Sequence, residues 1–537
     1  MKHIMQRRIR PFIFFLFLLC ILFSGNILSP SVLLAQEDQS EERILSISMF
    51  PANIQLNPLR TYSSTEAQIY TALYEGLVTP DPITLRPIPG VAESWEISED
   101  GTEYRFFIRK NAHFSNGDRI TAEDAVNSFL AHLNPEENSS FSSFLDLIVG
   151  ARDYRQGKGT RENVAIIAES DDSLLIRLEH KTPWFLDILT HQSMVIMHPG
   201  SIGSNDIDNL IVSGPFVLSK YDSSGMIFES NPEYWDHERV ALDAIHISFN
   251  PDIETVTESF NKNEIFWADG NFNYTLVNNA DFAQLTPMFG TSFFYFNQRQ
   301  ESFRNPDIRR GIALLIPWEE IRNTEDFFSP TDQLIPEIPA YSTVPSISEQ
   351  NIEEGLRLLA DAGHPFGQGL PAITIRVPAN NELAAEQMVL ALQKYLQTEV
   401  SIDVIPEAQD YYGDLRNAEY TIASLSWIGD YLDPLTFLAL FLSDSQINEA
   451  GYSNPEYDQL IEQSNQLDGT ERYDLLAQAE TLLLQEGTVM PIHHTVAFHL
   501  VNTMEIEGWF PTALDIHPYR FIRKIDFVPG PGITLLP

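Results

Sequence analysis

Apolar residues recur along this chain at two periods, and the switches between them mark out alternating strands and helices. Residues 43–50 alternate in part and predict a first strand. Ser63-Ser64-Thr65-Glu66 has the hydroxyl-then-acid order of a helix start, which Ile69, Ala72 and Leu73 continue and Gly76 ends. Residues 91–109 hold two strand-like runs around Asp100-Gly101, a hairpin signal. Thr121, followed by Glu123 and Asp124, predicts a capped helix with an acidic first turn. Farther on, residues 353–362 read as an amphipathic helix stopped by Gly363, 371–377 as a strand, 384–398 as a helix and 400–405 as the next strand. That order predicts an α/β protein with a mixed, mainly parallel sheet. Residues 420–425 predict a buried strand, 426–434 a loop punctuated by Gly429 and Pro434, and a helix begins near Leu435.

Composition extends this picture. A chain of 537 residues exceeds one hydrophobic core, so about two or three domains are expected. Its formal charge of −42 excludes a basic nucleic-acid-binding face and favours cations in any cleft. Lys2, Arg7, Arg8 and Arg10 precede an apolar run over residues 11–23, too short to span a bilayer comfortably but suited to a signal peptide. Ala35 offers a cleavage point, so residues 1–35 are expected to be removed on export; an uncleaved membrane anchor is the competing reading. Cys20 is the single cysteine, and Leu19 before it does not fit a lipidation site. The mature chain therefore has no disulfide, no thiol nucleophile and no thiolate metal site.

The stretch Ser426-Trp427-Ile428-Gly429-Asp430-Tyr431-Leu432-Asp433-Pro434 carries the most pointed chemistry. It sets Asp430 among apolar and aromatic neighbours, and a desolvated carboxylate needs a positively charged partner. Asp430 and Asp433 could also be read as an acid–base pair for glycoside hydrolysis. No metalloprotease, nucleophile-elbow or phosphate-loop pattern occurs, and Gly157-Lys158-Gly159 is a lone loop. His493 and His494 are adjacent on an expected strand, so they point to opposite faces and do not form a two-ligand metal site. No cofactor and no bound metal are expected.

Several motifs, taken together and in order, resemble the extracytoplasmic solute-binding proteins of ABC importers, the peptide- and nickel-binding family. They are GVAESWEISEDGTEYRFFIRKNAHFSNGDRITAEDAVNSF, the Gly214-Pro215-Phe216 to Asn231-Pro232-Glu233-Tyr234-Trp235 pattern, Tyr295-Phe296-Asn297 with Phe303 to Arg310, SWIGDYLDP, and Tyr452-Ser453-Asn454-Pro455-Glu456-Tyr457-Asp458. SWIGDYLDP is similar to a segment of the oligopeptide binders in particular. The resemblance implies a periplasmic-binding-protein-like fold (type II, cluster C), two hinged lobes with an extra domain on the first. After the signal peptide of residues 1–35, lobe I would comprise 36–75, 205–280 and 497–537, with 76–204 as the extra domain and 281–496 as lobe II. It implies a monomeric periplasmic protein that captures oligopeptides and hands them to inner-membrane permease subunits. It further implies that Asp430 pairs with the ligand amino group. Trp427 and Ile428 would line the first pocket, and residues 424–426, Ser426 among them, would offer strand backbone. Tyr62 and Ser64 would meet the ligand main chain, and Phe141 and Phe144 would close over it. The strand before the loop, Thr421-Ile422-Ala423-Ser424, lacks the base that many peptide binders hold for the ligand carboxylate; Arg416 is the nearest. A nickel chelate, an oligosaccharide, a sensory role without transport, and an exported hydrolase are the alternatives.

Overall fold

The computed structural model describes residues 42–525 except 53, 62, 205, 324–327, 343 and 407. The expected signal peptide lies outside the described residues.

Most predicted elements form where their local chemistry places them. Strand β1 is Ile44–Met49, and helix α1 is Ser64–Leu73, whose Ser63 side chain accepts from the Glu66 amide. The hairpin of β2 (Ala92–Ile97) and β3 (Glu103–Ile108) turns through Gly101 at φ +74°, a conformation that favours glycine. Helix α2 (Ala122–Leu133) starts with the Asp124 carboxylate accepting from the Thr121 amide and hydroxyl at 2.8 and 2.7 Å. Strands β4 (Ile166–Ser170) and β5 (Ser173–Arg177) complete a four-stranded antiparallel sheet in the order β2-β3-β5-β4. This sheet and α2 share one core, built around Phe106, Phe114, Phe129 and Ile176.

The second sheet has eleven strands. It adds β6 (Phe216–Asp222), β7 (Gly225–Ser230), β8 (Ala244–Phe249), β9 (Trp267–Asp269), β10 (Ala283–Phe296) and the short β11 (Ser329–Pro330). Helix α3 (Ile352–Asp361), β12 (Ile373–Pro378), α4 (Glu382–Tyr395), β13 (Val400–Ile405) and β14 (Ile422–Ile428) follow. Helices α5 (Leu435–Leu438) and α6 (Gly469–Gln485) precede β15 (Val489–Val501). The order is β13-β12-β14-β10-β15-β9-β1-β8-β7-β6, with β11 on β15. The sheet is mixed, as predicted, but not mainly parallel: among the described residues only β12 with β13 and β14, and β1 with β8 and β9, pair parallel. The sequence pattern shows the strand-helix-strand unit, but not that two long antiparallel strands, β10 and β15, occupy the middle.

Those two strands bury both faces. Phe293 and Tyr295 of β10 enter one core with Leu476 and Leu483 of α6, and Phe294 and Phe296 enter another with Leu359 of α3 and Met388 and Leu392 of α4. Their pairing is interrupted between Pro287 and Thr291, where the register shifts. No helix among the described residues is long and apolar enough to cross a membrane.

A buried histidine beside the four-stranded sheet has both ring nitrogens paired. His132 of α2 donates from Nε2 to the Ser193 carbonyl at 2.8 Å and accepts at Nδ1 from the Ser139 hydroxyl at 2.7 Å. Burial pushes its imidazole down to about 4. The unfolded chain protonates His132 below about pH 6.5, whereas the folded chain resists until about 4, so this residue costs stability as pH falls through that window. Replacing it (His132→Gln) should flatten the stability–pH slope there by up to about 1.4 kcal/mol per pH unit, measured by urea unfolding. An unchanged slope would refute the assignment.

Candidate functional site

Where turn residues predict a loop, β14 instead runs on through Ser426, Trp427 and Ile428. Ser292, Thr291 and Gly290 of β10 pair with them, and this tertiary pairing overrides the local signal. Gly429 then donates its amide to the Phe289 carbonyl at 2.7 Å, and a Cβ at this position would lie 2.5 Å from the Phe289 ring. Asp430 follows immediately. Its amide donates to Thr436 Oγ1 at 2.8 Å, and that hydroxyl donates back to Asp430 Oδ2 at 2.6 Å. Oδ1 lies 3.1 Å from His191 Nε2, with both side chains only 7% exposed. The Ser193 amide donates to His191 Nδ1 at 3.2 Å, so Nε2 carries the proton that Asp430 accepts. Asp430 is thus held by two uncharged donors, and among the described residues no lysine or arginine pairs with it.

The rest of the turn faces away. Tyr431 packs into the core of the small domain, 5.9 Å from Phe144 between ring centroids. Asp433 takes a bidentate pair from Arg472 at 2.6 and 2.8 Å, and that guanidinium lies 3.6 Å over the Trp184 ring. Asp433 is therefore a structural ion pair, and no Asp430–Asp433 acid–base couple is built.

Asp430 borders a cavity of about 900 Å³. Ser63 and Ser64 at the start of α1, Phe141 and His191, Met288 and Ser292 of β10, and His493 and Thr495 to Phe498 of β15 form its other walls. Of the residues implied by the resemblance, Ser64, Phe141, Ser426, Trp427, Ile428 and Asp430 line this cavity. Tyr62 lies outside the described residues. Phe144 does not face the cavity; it sits behind Phe141 and His191, at 5.2 and 5.7 Å between centroids, and borders a separate cavity of about 240 Å³. Ser424 is also withdrawn, since its amide and carbonyl both bond the Tyr411 hydroxyl, at 3.0 and 2.6 Å. β14 pairs with β12 only at Ile422 and Ala423, so its later residues keep an edge unpaired by any strand on the cavity side.

His493 and His494 do diverge. His493 lines the cavity, stacked 4.2 Å from Phe328, whereas His494 bonds the Thr291 hydroxyl at 3.0 Å, and burial pushes both imidazoles down to about 4. Among the described cavity residues Arg416 is the only arginine or lysine, and it is engaged by the Gln446 carbonyl and by Glu449 at 3.0 Å. Asp269, Asp430, Glu449 and Asp515 make the cavity acidic. Away from the cavity lining, Arg155 reaches Asp444 at 2.9 Å and Lys181 reaches Asp468 at 2.6 Å.

Sequence reasoning did not find His191, Thr436, Asp269 or Asp515. Thr436 had a local signal, a hydroxyl just after Asp433-Pro434 at a helix start. His191 had none, because only the fold brings it to Asp430.

The profile of the bacterial extracellular solute-binding proteins, family 5 Middle, matches residues 86–449. The dipeptide-binding protein DppE of Bacillus subtilis is 28% identical over 493 residues, covering 86% of this chain and 89% of its own. The periplasmic oligopeptide-binding protein OppA of Salmonella typhimurium is 25% identical over 485 residues, covering 83% and 86%. A crystal structure of a periplasmic oligopeptide-binding protein (OppAIV) from Borrelia burgdorferi superposes with a TM-score of 0.81 at 26% identity, over 90% of this chain and 100% of that one. That of Haemophilus influenzae OppA complexed with RPPGFSPFR has the same fold, with a TM-score of 0.81 at 24% identity over 90% and 99%. With more than half its length matched by the family profile and its fold shared with periplasmic binding proteins, this chain belongs to the bacterial extracellular solute-binding proteins of family 5.

Proposed function

We propose that the protein captures oligopeptides outside the cytoplasmic membrane and delivers them to the permease of an ABC importer, without catalysing a reaction on them. The observation that carries this reading is the conjunction, on one cavity wall, of a β14 edge that no strand pairs and an Asp430 that no lysine or arginine pairs, among the described residues. An extended peptide can add to such an edge through its main chain, which is indifferent to sequence. A carboxylate has about four lone-pair sites, and His191 and Thr436 use two at Asp430, so a peptide ammonium can still be accepted. Trp427 lines the cavity with its indole N–H buried and unpaired. The ligand carboxylate has no comparable anchor, because Arg416 is already engaged.

The same reading divides the chain for closure. Residues 36–75, 205–280 and 497–537 would move as one lobe, with 76–204 attached, against 281–496. The separate cores support this division, and the register shift in the β10–β15 pair supplies a place to bend. We read the protein as monomeric and exported, cleaved after Ala35.

Native mass spectrometry of the purified protein with a peptide mixture should find intact peptide bound; cleaved products would instead indicate a hydrolase. Asp430→Asn should weaken binding of free-amine peptides about tenfold or more, about 1.4 kcal/mol, and leave N-acetylated peptides unaffected. Equal wild-type affinity for both peptide forms would sink the anchor assignment. His191→Phe keeps a ring beside Phe141, 4.3 Å away, but removes the donor. It should weaken free-amine binding less, about fivefold by calorimetry, in line with the loss of one hydrogen bond of about 1 kcal/mol.

A further inference from the structure

On the wall opposite β14, two histidines and two aspartates from three separate chain segments meet. His499 lies on β15, Asp269 ends β9, and Asp515 and His517 come from the chain after β15. Both imidazole Nε2 atoms point at the same oxygen: His499 Nε2 is 2.7 Å and His517 Nε2 3.3 Å from Asp515 Oδ1. The backbone of Asp515 is left-handed, at φ +56°, which is uncommon away from glycine.

With both rings neutral, the hydrogen-bond partners set where the protons lie. The Phe510 carbonyl, which can only accept, is 2.8 Å from His517 Nδ1, so Nδ1 carries the proton and Nε2 presents a lone pair to Asp515. The Trp267 indole, which can only donate, bonds His499 Nδ1 at 3.1 Å, so that nitrogen is bare as well and faces Asp269 Oδ1 at 3.3 Å. In two places, then, an acceptor meets an acceptor in a largely buried cluster. For neutral imidazoles such a contact is repulsive, and a shared cation relieves it, either a proton on the ring or a metal ion ligated by both groups.

We propose that this cluster is a binding site for a divalent transition-metal ion of the zinc class, ligated by His499 Nε2, His517 Nε2 and Asp515. Their ligand atoms lie within 4.8 Å of one another, so small side-chain shifts would bring them to the ligand distances of about 2.0–2.2 Å that one ion needs. On loading, the His499 proton moves from Nε2 to Nδ1 and is donated to Asp269, while His517 keeps its Nδ1–H on the Phe510 carbonyl. Both ligating imidazoles then have the acceptor behind them that metal-bound histidines use for orientation. Trp267 gives up its bond to Nδ1. Two nitrogens and a carboxylate suit zinc and its neighbours rather than calcium or magnesium. Asp515 and His499 also line the peptide cavity, so a remaining coordination position opens toward a bound ligand.

The test is titration of chelator-treated full-length protein with Zn²⁺ by calorimetry, and with Co²⁺ by visible absorption. One equivalent of each should bind, Co²⁺ giving the d–d bands of nitrogen and oxygen ligation, and Zn²⁺ should raise the melting temperature. Asp515→Asn and His517→Gln should each weaken Zn²⁺ binding about tenfold or more with an unchanged circular dichroism spectrum. No saturable uptake of either ion by the wild type would overturn the proposal. So would undiminished affinity in both folded variants. The wild-type measurements alone decide the matter should a variant fail to fold.

Discussion

The pairing of β10 with β15 is the constraint on which the molecule depends. Each strand runs from the β9 side of the large sheet to the β14 side, so together they join parts that have otherwise separate cores. A regular ladder along their whole length would leave no room for a cavity. The ladder instead breaks at the register shift, and the side chains released there, Met288 and Thr495 among them, become cavity wall. Gly290 permits this: a Cβ would lie 2.2 Å from the Thr495 hydroxyl oxygen and 3.0 Å from the Trp427 carbonyl. One glycine thus connects the middle of the sheet to the strand that ends at Asp430.

Much of this architecture was legible in the sequence, because much of it is local. The caps at Ser63 and Thr121, the turn at Gly101, the helix at residues 353–362 and the strand at residues 400–405 depend on a few neighbouring side chains. What was not legible depends on distant pairing. Residues 426–428 have the composition of a turn and become strand because β10 lies beside them. The sheet's antiparallel centre rests on two segments far apart in the chain. At the site, the resemblance pointed to Asp430 and the cavity contains it, yet His191 was invisible, since nothing near it in sequence distinguishes it from any other buried histidine. Phe144 shows the reverse failure: a suitable aromatic beside Phe141 supports the site from behind without reaching the cavity.

Charge has a different meaning at different depths. The overall excess of acid is a property of the surface and of solubility. Inside the cavity, acidity is particular: Glu449 is committed to Arg416, Asp430 to two uncharged donors, and Asp269 and Asp515 to the histidine cluster. Negative charge is therefore least compensated at two separate points along the wall, and a ligand with positive charge at one end would be oriented before its side chains met any pocket.

The ion pairs between distant segments differ in kind from the buried contacts. Lys181 with Asp468, and Asp444 with Arg155, put at least one partner in water, where ion pairs are weak and screened by salt. The contact of Tyr431 with Phe144 is edge-to-face packing of two buried rings. Segments far apart in the chain are thus joined by screened ion pairs near the surface and by aromatic packing in the interior. Salt would therefore loosen the ion pairs between these segments and leave the buried aromatic contact in place.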